Sequence, residues 1–150
     1  MTDSRVSERA LFCYNESMGS YSNKTLLEKL GIKSEMRLFF FNQPKGYAVL
    51  LGKLPPKVKL LKKLARNTDF LHYFTVTKAD LNKAFPKLKK HLKKDGILWV
   101  SWPKNSHPMT DLKENIVRNL GLQHGLVDIK VVAIDGTWSG LKFVWRFADR

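Results

Sequence analysis

The stretch Asp95-Gly96-Ile97-Leu98-Trp99-Val100-Ser101-Trp102-Pro103-Lys104 decides how the rest of the chain can fold. From Ile97 to Trp102 both alternating faces are apolar, Ser101 excepted, and a strand with two apolar faces is covered from both sides. Asp95-Gly96 predicts a turn that releases the chain from a preceding helix. Pro103 ends the ladder because it has no N–H to donate. Such a strand belongs inside a parallel sheet, with helices or a second subunit on its faces.

Immediately upstream, Lys78–Lys94 predicts a helix. Leu81, Phe85, Leu88 and Leu92 recur at steps of four, three and four, the spacing of a buried stripe. Lys83, Lys87, Lys90 and Lys94 repeat those steps about 200° away at helical pitch, on the opposite face. Pro86 either kinks this helix or stands at the first position of a second one. Downstream, Leu112, Ile116, Val117 and Leu120 form another stripe over Asp111–Leu122, with Thr110 or Asp111 as the cap.

Farther out, Leu126–Ile134 and Trp138–Phe147 predict two strands joined through Asp135-Gly136-Thr137 as a hairpin. In the last strand apolar residues alternate with Lys142, Val144 and Arg146, which places it half-buried near an edge. Towards the N-terminus, Met36–Phe41 and Phe70–Val76 predict strands, and Tyr47–Leu54 a short helix stopped by Pro55-Pro56. Val58–Arg66, between them, mixes leucines with lysines. Thr25–Leu30 predicts a helix capped by Ser22 or Asn23 and ended by Gly31. Residues 1–20 are polar and aperiodic and predict a flexible arm, leaving 21–150 as one domain.

The order β-α-β-α-β-α-β-β predicts an α/β, Rossmann-like, mostly parallel five-stranded sheet with a C-terminal antiparallel hairpin. If the sheet winds in one direction, Met36–Phe41 is peripheral and every crossover helix lies on one face. The architecture is then three-layered only if the helix at Leu26–Leu30 or a second copy of the chain covers the other face. That requirement points to a homodimer.

Twenty-seven Lys and Arg stand against 13 Asp and Glu, a formal charge of +14. A field of this sign favours polyanionic partners, nucleic acid or phosphorylated ligands. No run approaches the roughly 20 apolar residues of a membrane span, and no secretory leader is recognisable. With Cys13 alone there is no disulfide framework and no cysteine-rich zinc site, which fits the reducing cytoplasm. The four histidines are scattered without metal spacing, and His72, inside an apolar strand, reads as a hydrogen-bonded core residue. No serine sits in a nucleophile elbow, and no residue pattern argues for catalysis.

The helix, glycine and strand around Asp95-Gly96 and the helix-to-hairpin ending resemble the last half of class I methyltransferases. That resemblance implies an S-adenosylmethionine site after the first strand, but Asn42-Gln43-Pro44-Lys45-Gly46 holds one glycine. No Asp or Glu occurs between Glu35 and Asp69, where a ribose-binding acid would come. No cofactor is therefore predicted. More specifically, Tyr21-Ser22, Lys29-Leu30-Gly31-Ile32, Leu98–Lys104, Thr110-Asp111-Leu112, Gly125–Val131 and Thr137–Val144 resemble a bacterial family known as domain of unknown function 3052. This resemblance spans about Tyr21 to Arg146 and implies no reaction, cofactor or functional residues.

Open α/β sheets place ligands outside the carboxyl ends of their strands. The residues expected there are Gln43, Lys45, Thr77, Lys78, Trp102, Lys104 and His107. Trp102 is positioned to stack on a ring and Lys104 to neutralise a phosphate. These residues predict a non-catalytic, methyltransferase-like domain that binds an anionic ligand. A second reading is nucleic-acid binding through the lysine faces of Lys59, Lys62, Lys63, Arg66, Lys83, Lys87, Lys90 and Lys94. A third is a methyltransferase with an atypical cofactor site.

Overall fold

The computed structural model describes residues 24–104 and 110–150. The expected N-terminal arm and His107 lie outside the described residues. In chain order the elements are α1 (Leu26–Leu30), β1 (Arg37–Phe41), α2 (Tyr47–Leu51), β2 (Lys59–Leu60), β3 (Thr68–Phe74) and α3 (Lys78–His91). β4 (Leu92–Pro103), α4 (Glu114–Gln123), β5 (Leu126–Ala133) and β6 (Trp138–Trp145) follow, then a single 3-10 turn at Phe147–Asp149.

The sheet has the order β2-β1-β3-β4-β6-β5. β2, β1, β3 and β4 are parallel, while β6 runs antiparallel to both β4 and β5. β4 is interior, as its two apolar faces require. Leu98, Val100 and Trp102 belong to the cluster under α3 and α4, and Trp99 to the cluster under α1 and α2.

Several expectations are corrected. The sheet has six strands rather than five, because Lys59–Leu60 forms a two-residue edge strand beside β1. Two residues carry too little alternation to register as a strand. The sheet therefore does not wind in one direction: the chain moves outward from β1 to β2, then returns across β1 to β3. The last strand also does not lie near an edge. β6 is inserted between β4 and β5, and Leu141, Lys142, Phe143 and Val144 are all buried. Lysine at 142 disguised a strand covered on both sides.

Asp95-Gly96 is not a turn either. β4 begins directly at Leu92, and its register against β3 jumps from Thr68–Leu92 to Phe70–Ile97, so residues 93–96 bulge out of the ladder. Gly96 is needed at this bulge, since a Cβ there would come within 2.9 Å of Leu92 Cδ1 and 3.0 Å of the Asp69 carbonyl oxygen. Pro103 ends the strand, as predicted.

α3 is one helix despite Pro86, which sits inside it on the exposed side. Leu81, Phe85 and Leu88 are buried as the stripe demands. α4 starts later than expected, with Lys113 at its N-cap and no side-chain cap. Gly121 lets α4 lie on β6, because a Cβ there would stand 2.0 Å from Phe143 Cε1.

The second face is covered by α1, α2 and the segments beside them. Leu30, Ile32, Tyr47 and Leu51 close over Leu38, Phe70, Phe74 and Trp99. Thr25 and Glu28 form a reciprocal capping box on α1, and Gly31 ends that helix at φ 86. Trp99 Nε1 donates to the Leu30 carbonyl oxygen at 2.8 Å, fixing α1 to the sheet. No described helix is long and apolar enough to cross a membrane.

Candidate functional site

The reversal of winding puts a topological switch point between β1 and β3, where one connection leaves outward and the next inward. Ligands of open α/β sheets bind in the crevice outside the carboxyl ends of such a strand pair. At the end of β1, Asn42 adopts φ 55 and its Nδ2 donates to the Phe74 carbonyl oxygen at 3.3 Å, tying the two strand ends together. Asparagine tolerates this left-handed conformation better than other side chains with a Cβ. Gly46 follows at φ 87, and a Cβ there would meet nothing within 4 Å. Gln43 and Lys45, between them, are exposed.

The loop after β3 is held by hydroxyls and a carboxylate. Thr77 caps α3, its Oγ1 accepting from Asp80 N at 3.2 Å. Asp111 caps the same helix, its Oδ1 accepting from Lys78 N at 2.7 Å. Thr110 Oγ1 donates to the Val76 carbonyl oxygen at 2.7 Å and accepts from Leu112 N at 3.1 Å. Thr110 and Asp111 thus bind the loop after β3 to the chain entering α4, and neither caps α4. Past β4, Lys104 is half-buried and its N donates to the Thr137 carbonyl oxygen at 2.9 Å. Asp135 Oδ1 accepts from Thr137 N and Trp138 N, both at 2.8 Å, which is turn chemistry.

Gln43, Lys45, Thr77, Lys78 and Lys104 therefore share the carboxyl-end rim. Trp102 does not line it. Its side chain is 3% exposed and packs in the core with Leu112, Val117 and Leu120, so its ring is not open to a ligand. The even-numbered face of β4 is the one under α3 and α4, which the sequence pattern alone left open. The part played by Asn42 was also missed; an asparagine closing a strand is the signal that could have found it.

Below the rim lies a buried polar chain. His72 is fully buried, with Nδ1 2.5 Å from Tyr47 Oη and Nε2 2.7 Å from Ser101 Oγ. Burial pulls His72 down from 6.5 to about 3 and pushes Tyr47 well above its usual range. The imidazole is neutral, doubly hydrogen-bonded and shut away from solvent. It is the core histidine the sequence suggests and has no access to a substrate.

A separate hollow of about 310 Å³ lies at the other end of the sheet, lined by Gly31, Lys33, Met36, Ile97, Lys142 and neighbouring residues. Among the described residues, no three His, Cys, Asp or Glu side chains cluster as metal ligands. The eight cations of the nucleic-acid reading are all exposed.

The sequence matches no family model and no curated protein. Solved structures do match. A SAM-dependent methyltransferase from Aquifex aeolicus is 14% identical with a TM-score of 0.56, over 95% of this chain and 98% of that one. A ribosomal protein L11 methylase from Lactobacillus delbrueckii subsp. bulgaricus is 15% identical with a TM-score of 0.57, over 81% and 75%. The fibrillarin pre-rRNA processing protein of Methanococcus jannaschii is 13% identical with a TM-score of 0.51, over 77% and 68%. At these identities the likeness concerns architecture: the chain has a Rossmann-like, methyltransferase-like fold.

That fold implies S-adenosylmethionine, and the rim residues do not fit it in the usual manner. The turn after β1 keeps positive φ at Asn42 and Gly46 but carries Pro44 and Lys45 between them. β2 is followed by Leu61-Lys62-Lys63, and no carboxylate occurs from Met36 to Thr68 to engage ribose hydroxyls.

Proposed function

We propose that this chain is a non-catalytic member of the domain of unknown function 3052 family that holds an anionic small molecule, a nucleotide or other phosphorylated compound, in the crevice between the carboxyl ends of β1 and β3. The observation that carries this reading is the charge at the switch point. Lys45, Lys78 and Lys104 come from three successive strand ends, while Asp111 and Asp135 are occupied by backbone N–H groups. Kinship with the family rests on the resemblance of the tryptophan-containing stretches Leu98–Lys104 and Thr137–Val144.

Calorimetry with ATP, pyrophosphate and S-adenosylmethionine tests the proposal. The phosphorylated ligands bind, and Lys45→Ala and Lys104→Ala each weaken them by about tenfold, the loss of one charge-assisted contact of about 1.5 kcal/mol. Unchanged affinity in both variants overturns the site.

A second reading, methyl transfer from S-adenosylmethionine through an altered cofactor turn, is supported by the likeness of fold to the Aquifex and Lactobacillus enzymes and by the positive φ at Asn42 and Gly46. Here S-adenosylmethionine binds in the calorimeter, and a radioactive methyl group passes to a component of cell extract. Neither result is expected if the first reading holds.

A further inference from the structure

Two lysine-rich segments come together on the α3 side of the sheet. Residues 57–67 and 82–94 contain no carboxylate. Leu64 of the first segment packs against the same core cluster as Phe85 and Leu88 of α3, so the return from β2 and the helix α3 lie over the same side. Lys62, Lys63 and Arg66 are exposed on that return, and Lys83, Lys87 and Lys90 along the outer side of α3. None of these six side chains is engaged in an ion pair among the described residues. Asp80, one turn before Lys83, is the one acid on this side of α3; from Lys83 onward the exposed charges of the helix are all positive.

The chemistry of the face selects among polyanions. Lys83 to Lys90 covers about 10 Å of helix, close to the rise of three base pairs. Lysines are point charges that need no planar partner, so they suit phosphates without reading bases. Single-stranded nucleic acid is held by stacking on open aromatic rings. The aromatic ring that the fold brings to the foot of α3, Trp145, is instead covered by Lys94 Nζ at 3.7 Å and Lys89 Nζ at 4.8 Å from its centroid. Those contacts hold two more cations in place against that ring, where a stacking base would have to displace them.

We propose that this face binds double-helical nucleic acid through its phosphates, without sequence preference, independently of the rim. The test is fluorescence anisotropy with a duplex of roughly 20 base pairs and with either of its strands, between about 50 and 200 mM salt. The duplex binds more tightly than the single strand, and its affinity falls about a thousandfold or more across that range, as six or more phosphate contacts require. Replacing Lys83, Lys87 and Lys90 together by glutamine lowers the salt slope by about 0.9 for each lysine lost. Replacing Lys62 and Lys63 by glutamine does the same on the second segment. Lys45→Ala and Lys104→Ala leave duplex binding unchanged, which separates this surface from the rim site. Since all five lysines are exposed, thermal melts of the variants match the parent.

Equal affinity and slope in both sets of glutamine variants overturns the proposal. So does tighter binding of the single strand, or equal competition by polyglutamate at matched charge, which would make an acidic protein the partner.

Discussion

The two faces of the sheet are held by different physics. On one side α3 and α4, of 14 and 10 residues, lay continuous apolar stripes on Leu71, Leu98, Val100, Leu141 and Phe143. Helices of that length hold themselves down by buried area. On the other side α1 and α2 have five residues each, far below the length at which a helix is stable by itself. They bury fewer apolar side chains, Leu30, Tyr47 and Leu51, and two hydrogen bonds to the sheet add to that hold: Trp99 Nε1 to the Leu30 carbonyl oxygen, and Tyr47 with His72. A long helix can afford an apolar face, whereas a single turn has to be tied.

The largest effect that tests this contrast belongs to the apolar face. Phe143→Ala empties the site against which Gly121 and Phe85 pack, and should cost about 3–5 kcal/mol in urea unfolding. A loss below about 1 kcal/mol would mean that area is not what holds α4.

The face under α1 and α2, which holds His72, should respond to pH. Unfolded, the His72 imidazole takes a proton near 6.5; folded, it does so only near 3. Between those values the native state binds fewer protons, so stability falls as pH falls, by about 1.4 kcal/mol per pH unit, and is untouched above 6.5. From pH 6.5 to 5 the chain should lose about 2 kcal/mol more than His72→Gln, which cannot titrate. Parallel pH profiles for the two proteins would remove the buried imidazole from the account.

The smallest effect is local. Trp99→Phe leaves the Leu30 carbonyl oxygen without its indole donor, worth about 1.5 kcal/mol. Hydrogen exchange should show α1 amides opening more often while α3 and α4 stay protected. Uniform loss of protection would mean that the short helices are not separately tied.

The same contrast explains what could be read in the sequence. α3, β1, β3, the interior position of β4 and the hairpin announce themselves through periodicity, because burial on one face writes a period of 3.6 and burial on two faces writes a run. β2 at Lys59–Leu60 has no period to show. Asp95-Gly96 looks like a turn because a bulge uses the same residue types. Lys142 made β6 look like an edge strand. At the rim, Gln43, Lys45, Thr77, Lys78 and Lys104 followed once the strands were known to be parallel. Trp102 did not, since which side of a doubly buried strand points at which layer is a property of the assembled sheet.

The two-residue β2 has one more consequence. An open sheet margin is a template on which another chain can crystallise its own backbone, and cells penalise such margins. Here the ladder stops after Leu60, and Lys57, Lys59, Lys62 and Lys63 stand around it, all exposed. A strand approaching β2 itself would find few amides to pair with and a wall of like charge. Short and guarded, β2 makes a poor template on its side of the sheet.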